Sequence, residues 1–203
     1  SNTVVGRSAM STNTTGACNV AIGQNALLQN TEGNTNVAVG RFALDNNTTA
    51  DSNTAVGYES LGANTTGANN TAVGFDSLKA NTTGCLNVAV GKSALCTNTT
   101  GCTNTAIGRD AMLANTTGDF NVAVGHEALD SNTTANENTA IGAASLAANT
   151  TGSQLTAIGK DSLKANTTGY QNTAVGFQSS CSNTDGFNNV AMGPYALRTN
   201  TTG

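Results

Sequence analysis

Tryptophan is absent, proline and histidine occur once each, and aromatic residues make up 4% of the 203-residue chain. So little bulky apolar material excludes the thick core of a conventional globular domain of this length. Charge is scarce too: Asp, Glu, Lys and Arg together form 10% of the chain, against about 25% in an ordinary soluble domain. Neutral polar side chains must therefore cover the surface. The net charge of -4, with the few Lys and Arg scattered, leaves no basic footprint for a phosphate backbone, so no nucleic-acid partner is expected. No apolar run approaches the roughly 20 residues of a membrane span. No charged segment followed by an apolar one opens the chain, so a secretion signal would lie outside this sequence.

What is abundant is Asn, Thr, Gly and Ala, a composition shared with disordered linkers. Disorder is excluded because Val, Ile and Leu recur at fixed positions, which polar low-complexity tracts do not show. From Gly6, a glycine falls at every seventeenth residue to Gly193, without insertion or deletion. The segment Gly57–Val73, GYESLGANTTGANNTAV, represents the unit. Twelve such units would make 204 residues, so the chain opens inside one unit and closes in nearly the same phase. It reads as residues 1–203 of a single repeat array without separate domains or caps, a section of a longer array or a subunit whose ends meet another.

Seventeen residues are too few for a helix-turn-helix repeat. In Asn53-Thr54-Ala55-Val56 the apolar signal has period two: the β-branched positions share one face of a pleated strand and Asn53 with Ala55 share the other. Thr54 is replaced by Val in units such as those of Val20, Val37, Val88, Val122 and Val190, which predicts at least half burial, with the β-branched face inward. A second short extended piece is expected at Ser60-Leu61 or Ala94-Leu95. Gly57-type and Asn64-Thr65-Thr66-Gly67-type corners should join the pieces, because Gly and Asn tolerate positive φ. One such coil cannot bury its Val and Leu alone. Coils stacked about 4.8 Å apart form continuous internal ladders, and twelve give a rod about 55 Å long. The fold expected is all-β: a repeat β-solenoid, or β-roll, of twelve 17-residue coils.

A core this thin predicts stabilisation by oligomerisation or cross-links. The unbroken column Ala55, Ala72, Ala89, Ala106, Ala123, Ala140, Ala157, Ala174 and Ala191, placed on the face opposite Val, is expected as a chain-to-chain contact, with a cramped corner as the alternative.

The Asn-Thr-Ala-Val-Gly strand, the x-x-Ala-Leu segment and the Asn-Thr-Thr-Gly corner resemble the repeat arrays of phage-type tail fibres and bacterial surface fibres. They are also similar to the head repeats of trimeric autotransporter adhesins, whose shorter unit carries Val-Ala-Ile-Gly. The resemblance covers all twelve units and implies a left-handed β-roll, self-association as a homotrimer, and a place outside the cell, at its surface or on a virion; an end-to-end filament or a single-chain solenoid stays open. The unit here is longer than the 14 residues of the adhesin heads, and no chaperone, stalk or anchor sequence is present.

Several residues could carry chemistry. Asn-Thr-Thr is an N-glycosylation pattern at Asn13, Asn47, Asn64, Asn81, Asn98, Asn115, Asn132, Asn149, Asn166 and Asn200, although turn geometry and stacked hydrogen bonds explain it as well. Of five cysteines, Cys85 and Cys102 share a position in consecutive coils, where Cα atoms about 5 Å apart suit a disulfide in an oxidising compartment. No paired C-x-x-C spacing is present, and no metal site or cofactor is expected. Glu59 with Asp76, and Asp110 with Glu127, place carboxylates on adjacent coils at a retaining-glycosidase separation, but an exposed ladder supplies neither a cleft nor shifted pKa values. His126 is the sole histidine, so a histidine-activated nucleophile could be built only around it.

These readings give a non-catalytic shaft of an extracellular fibre, filament or adhesin as the expected function. Its alternative is a module binding cell-surface glycans through irregularly placed aromatics (Tyr58, Phe75, Phe120, Tyr170, Phe177 and Phe187). A further alternative is an ice-binding solenoid, ranked lower because the strand threonines are expected to face inward.

Overall fold

The computed structural model describes residues 1–202. It is a parallel β-solenoid with one short strand per coil: β1 (Thr3–Val5), β2 (Val20–Ile22), β3 (Val37–Val39), β4 (Thr54–Val56), β5 (Thr71–Val73), β6 (Val88–Val90), β7 (Thr105–Ile107), β8 (Val122–Val124), β9 (Thr139–Ile141), β10 (Thr156–Ile158), β11 (Thr173–Val175) and β12 (Val190–Met192). They form one twelve-stranded parallel sheet in sequence order. Register is constant: Thr54 opposes Thr71, Ala55 opposes Ala72 and Val56 opposes Val73, so each residue meets its counterpart one unit away. The backbone of each coil is tied to both neighbours. The Val20 N–H donates to the Asn36 carbonyl one coil on, and the Gly23 N–H to the Val5 carbonyl one coil back, both at 2.8 Å.

The strand faces are reversed from the sequence expectation. Asn53 and Ala55 point inward and are fully buried, whereas Thr54 and Val56 are half-buried on the outer face. The column Ala55, Ala72, Ala89, Ala106, Ala123, Ala140, Ala157, Ala174 and Ala191 is core, at most 2% exposed within the single chain, so it cannot meet another chain. The reason is space: the inside of a 17-residue coil already holds a Leu and two Asn side chains, and only a methyl group fits opposite them. The cramped-position alternative is the one observed.

The second segment also differs. No strand forms around Ser60-Leu61. The chain there alternates right- and left-handed conformations, with the Leu column at φ between 47 and 54° and the residue two before it, such as Phe42, Glu59 or Asp110, near 51 to 61°. Left-handed backbone costs a non-glycine residue about 1–2 kcal/mol. Two gains offset it. Alternation sends successive N–H groups to opposite neighbours, as when Asn25 donates to Arg7 O and Leu27 to Ala43 O, both at 3.0 Å. It also turns Leu27, Leu44, Leu61, Leu78 and Leu95 fully inward, and burying a Leu contributes about 1.5–3 kcal/mol.

Two asparagine ladders complete the interior. In the column of Asn64, each amide Nδ2 donates to the Oδ1 of the preceding coil's Asn and to the backbone carbonyl three residues on; Asn64 reaches Asn47 Oδ1 at 3.0 Å and Gly67 O at 2.9 Å. In the column of Asn53, Oδ1 accepts the backbone N–H of Asn70 at 2.9 Å while Nδ2 donates to Gly67 O at 2.9 Å. Threonine adds a third rank, since Thr65 Oγ1 donates to Thr82 O at 3.0 Å. Most buried asparagine groups thereby bond within their own coil and to neighbouring coils instead of to water.

Candidate functional site

The glycosylation pattern has a structural cause. Asn47, Asn64, Asn81, Asn98, Asn115, Asn132, Asn149 and Asn166 are fully buried, and their Nδ2 atoms are committed to the ladder. A glycan on Nδ2 would remove those donors and force the corner open, so glycosylation at these eight positions is incompatible with the coil. Asn13 and Asn200, in the first and last coils, are half-buried, and Asn13 Nδ2 still donates to Gly16 O at 3.0 Å.

Cys85 and Cys102 are brought together as their column predicts. Both thiols are free, with Sγ atoms 2.8 Å apart, and the Cys85 N–H donates to Cys102 Sγ at 3.0 Å. The Cys85 thiol is pushed up to about 11 by its hydrogen bond to Cys102, with burial adding to the effect. Little thiolate forms at neutral pH, so alkylation there should be slow. An oxidant is expected to join the pair, visible as a mass loss of two hydrogens and a linked peptide under non-reducing conditions. The loop closed is about 17 residues, worth about 3 kcal/mol, so oxidation should raise the midpoint of unfolding; an oxidised sample lacking the linked peptide would contradict the pairing.

The carboxylate pairs are each bridged by one cation. Lys79 Nζ lies 2.5 Å from Glu59 Oε2 and 3.4 Å from Asp76 Oδ1. Hydrogen bonds from Lys79 and then from the Tyr58 hydroxyl hold Glu59 below the usual carboxylate range. Arg109 serves the second pair, with Nε 3.0 Å from Asp110 Oδ2 and Nη2 3.6 Å from Glu127 Oε1. His126, exposed, packs Nε2 against Arg109 Nη2 and lies 3.4 Å from Glu127 Oε1. Asp110, His126 and Glu127 thus offer three ligand atoms within 4.8 Å of one another, a set that could take a metal ion only by displacing the Arg109 guanidinium from its centre.

Two carboxylates that sequence reasoning did not single out stand apart. Asp45 and Asp130 occupy the same register position five units of 17 apart, in separate acidic clusters, and Oδ1 of each is buried without a hydrogen-bond partner among the described residues. Burial, followed by the charge of Glu59 for Asp45 and of Glu127 for Asp130, raises both pKa values. A raised carboxyl binds its proton more tightly folded than unfolded, so these groups lower stability as pH climbs from the ordinary carboxyl value through the folded one. Asp45→Asn and Asp130→Asn should therefore raise the unfolding midpoint at pH 7, with the gain vanishing below the ordinary carboxyl value. A gain that persisted in acid would point to packing instead.

The aromatics gather more than their sequence spacing implies. Tyr58 and Phe75 stack at 5.2 Å, Phe42 meets Tyr58 edge-on at 6.2 Å, and Arg41 lies over the Phe42 ring at 4.6 Å. A second stack joins Tyr170 and Phe187 at 5.1 Å. Beside the first, a side-facing cavity of about 310 Å3 is lined by Phe42, Asp45, Asn46, Glu59, Gly62, Ala63 and Lys79.

The longest feature is the outer strand face. Each strand presents a Thr or Val and then a Val, Ile or Met, and the stripe runs the length of the rod with Ile22, Ile107, Ile141 and Ile158 each 37–40% exposed. No helix is long and apolar enough to cross a membrane among the described residues. The fold and these surfaces define a regular parallel β-solenoid of the repeat-protein class. No protein-family model matches the sequence, and neither a curated protein nor a solved structure matches it significantly.

Proposed function

We propose that this solenoid is a non-catalytic shaft segment of an extracellular fibre, filament or adhesin, outside a cell or on a virion, and that its copies associate along the outer strand face. The observation that carries the reading is the unpaired stripe of β-branched side chains on twelve coils in constant register. A repeat without insertions supplies length and stiffness, and each coil contributes the same small increment of apolar contact. Contiguous exposed apolar surface on this scale usually marks an interface. Stripe-to-stripe packing of two or three copies would bury Val56, Val73, Val90 and their equivalents and thicken the thin core, the role sequence reasoning gave to Ala. Electron microscopy tests the form: rods about 55 Å long per chain, or multiples of that length, and wider than one coil are expected. Round particles would contradict a shaft.

Ice binding gains one observation, because strand threonines such as Thr54, Thr71 and Thr105 face outward after all. It ranks second because Val20, Val37, Val88, Val122 and Val190 interrupt the rank of hydroxyls. Thermal hysteresis at micromolar protein would reverse that order.

A further inference from the structure

The cavity beside Phe42 is a consequence of one residue. Its register column, five residues after each corner glycine, reads Leu28, Asp45, Gly62, Lys79, Cys96 and Leu113 in successive coils. Only Gly62 lacks a side chain, which leaves a notch between Asp45 and Lys79. At about 310 Å3 the notch lies at the lower end of the range of small-molecule sites, about 300–1,000 Å3, a size that suits a single ring.

Its walls say what the ring must carry. Phe42 provides an apolar surface. Lys79 is spent on Glu59 and Asp76, so Asp45, which lines the notch, has no cation of its own among the described residues; its Oδ1 is buried without a partner, which leaves Oδ2 as the oxygen for a ligand. Asn46 is also engaged: Nδ2 donates to Gly62 O at 2.8 Å and Oδ1 accepts from Gln29 Nε2 at 2.8 Å. Glu59 retains lone pairs beyond those taken by Lys79. With Asp45 and Glu59 against Lys79, the lining carries one net negative charge and more free acceptors than free donors, next to an aromatic ring. We propose that the Gly62 notch binds a hydroxylated six-membered ring bearing a protonated amine, an amino-sugar residue, with the ring against Phe42, the ammonium at Asp45 and a hydroxyl at Glu59. None of these residues belongs to the outer strand stripe, so the site is independent of the shaft assembly.

The test is ligand-observed NMR on the full chain with glucosamine, N-acetylglucosamine and glucose as probes. Glucosamine is expected to bind with a dissociation constant of about 1–10 mM, the strength ordinary for so small a ligand. Glucose and N-acetylglucosamine, which lack the charge, should bind at least about tenfold more weakly, and Asp45→Asn should weaken glucosamine by a similar factor. Gly62→Leu should abolish binding while leaving the unfolding midpoint close to the wild type, because Leu28 and Leu113 already occupy that register position. Saturation absent at ten times the expected constant, binding retained in Gly62→Leu, or glucose bound as well as glucosamine would each overturn the proposal.

Discussion

Gly91→Ala is expected to destabilise the rod by about 3–5 kcal/mol and to split its unfolding into two steps. Gly91 sits at φ +134°, a conformation that side-chain-bearing residues rarely adopt, and a Cβ there would lie 2.5 Å from Gly108 O and 2.7 Å from Gly108 C. Both atoms are backbone of the next coil, so relief requires parting two coils. In a stack held by nearest-neighbour contacts, that uncouples the six coils before the fault from those after it. The control is Gly101→Ala. An ideal Cβ at Gly101 also falls 2.5 Å from Gly118 O, yet its φ is not left-handed, and the same column holds buried Ala50 and Ala135. Around Ala50 the ladder persists, with Asn47 Nδ2 and Asn36 Nδ2 donating to Ala50 O at 3.0 and 2.8 Å. Gly101→Ala should thus cost less than about 1 kcal/mol, since a small shift suffices. Equal midpoints for the two variants in chemical denaturation would contradict the account of the corner.

The second large effect is expected at the inner asparagine ladder. Asn87 Nδ2 donates to Gly101 O at 2.8 Å, and its Oδ1 accepts the Asn104 N–H at 2.9 Å and Asn104 Nδ2 at 3.3 Å. Asn87→Ala deletes these bonds and strands a buried backbone N–H, at a cost of about 2–4 kcal/mol. The chain contains a related substitution. Leu155 stands in this column, 1% exposed, and its own N–H still donates to Asn138 Oδ1 at 3.0 Å, but it offers Asn172 no acceptor. Apolar burial there offsets lost polar contacts, so Asn87→Leu should cost less than Asn87→Ala. Equal costs would mean that hydrogen bonding alone decides, and the reverse order would mean that leucine overpacks the coil at this position.

Much of this architecture is legible in the sequence. A glycine every 17 residues fixes coil length, and with it the in-register pairing, the adjacency of Cys85 with Cys102 and the carboxylate pairs. Which strand face points inward is not legible from alternation alone, because period two is unchanged when the strand is turned over. Greater hydrophobicity favoured Val, but the bore of the coil is set by steric volume and admits Ala. Internal comparison of the units held the missing signal. The Asn64 column is Asn in every unit, more uniform than a mere turn requires, and the Asn53 column exchanges with Leu155, an exchange natural only for a buried site. The left-handed Leu column had no local signal, since Leu is among the residues least suited to positive φ and is held there by bonds from both neighbouring coils. The Gly62 notch was equally hidden, because its cause is a missing side chain and its walls come from three different units.

The central claim is that the outer β-branched stripe joins copies of this chain. Its most direct test is light-scattering mass of the wild type beside Val90→Lys/Val124→Lys, a pair on the outer face of β6 and β8 where lysine can reach solvent without touching the core. The account predicts a wild-type mass of at least two chains and a variant that is a folded single chain of 20.2 kDa plus the small added side chains. A wild type that is itself a single chain, or a variant that keeps the wild-type mass, would contradict it.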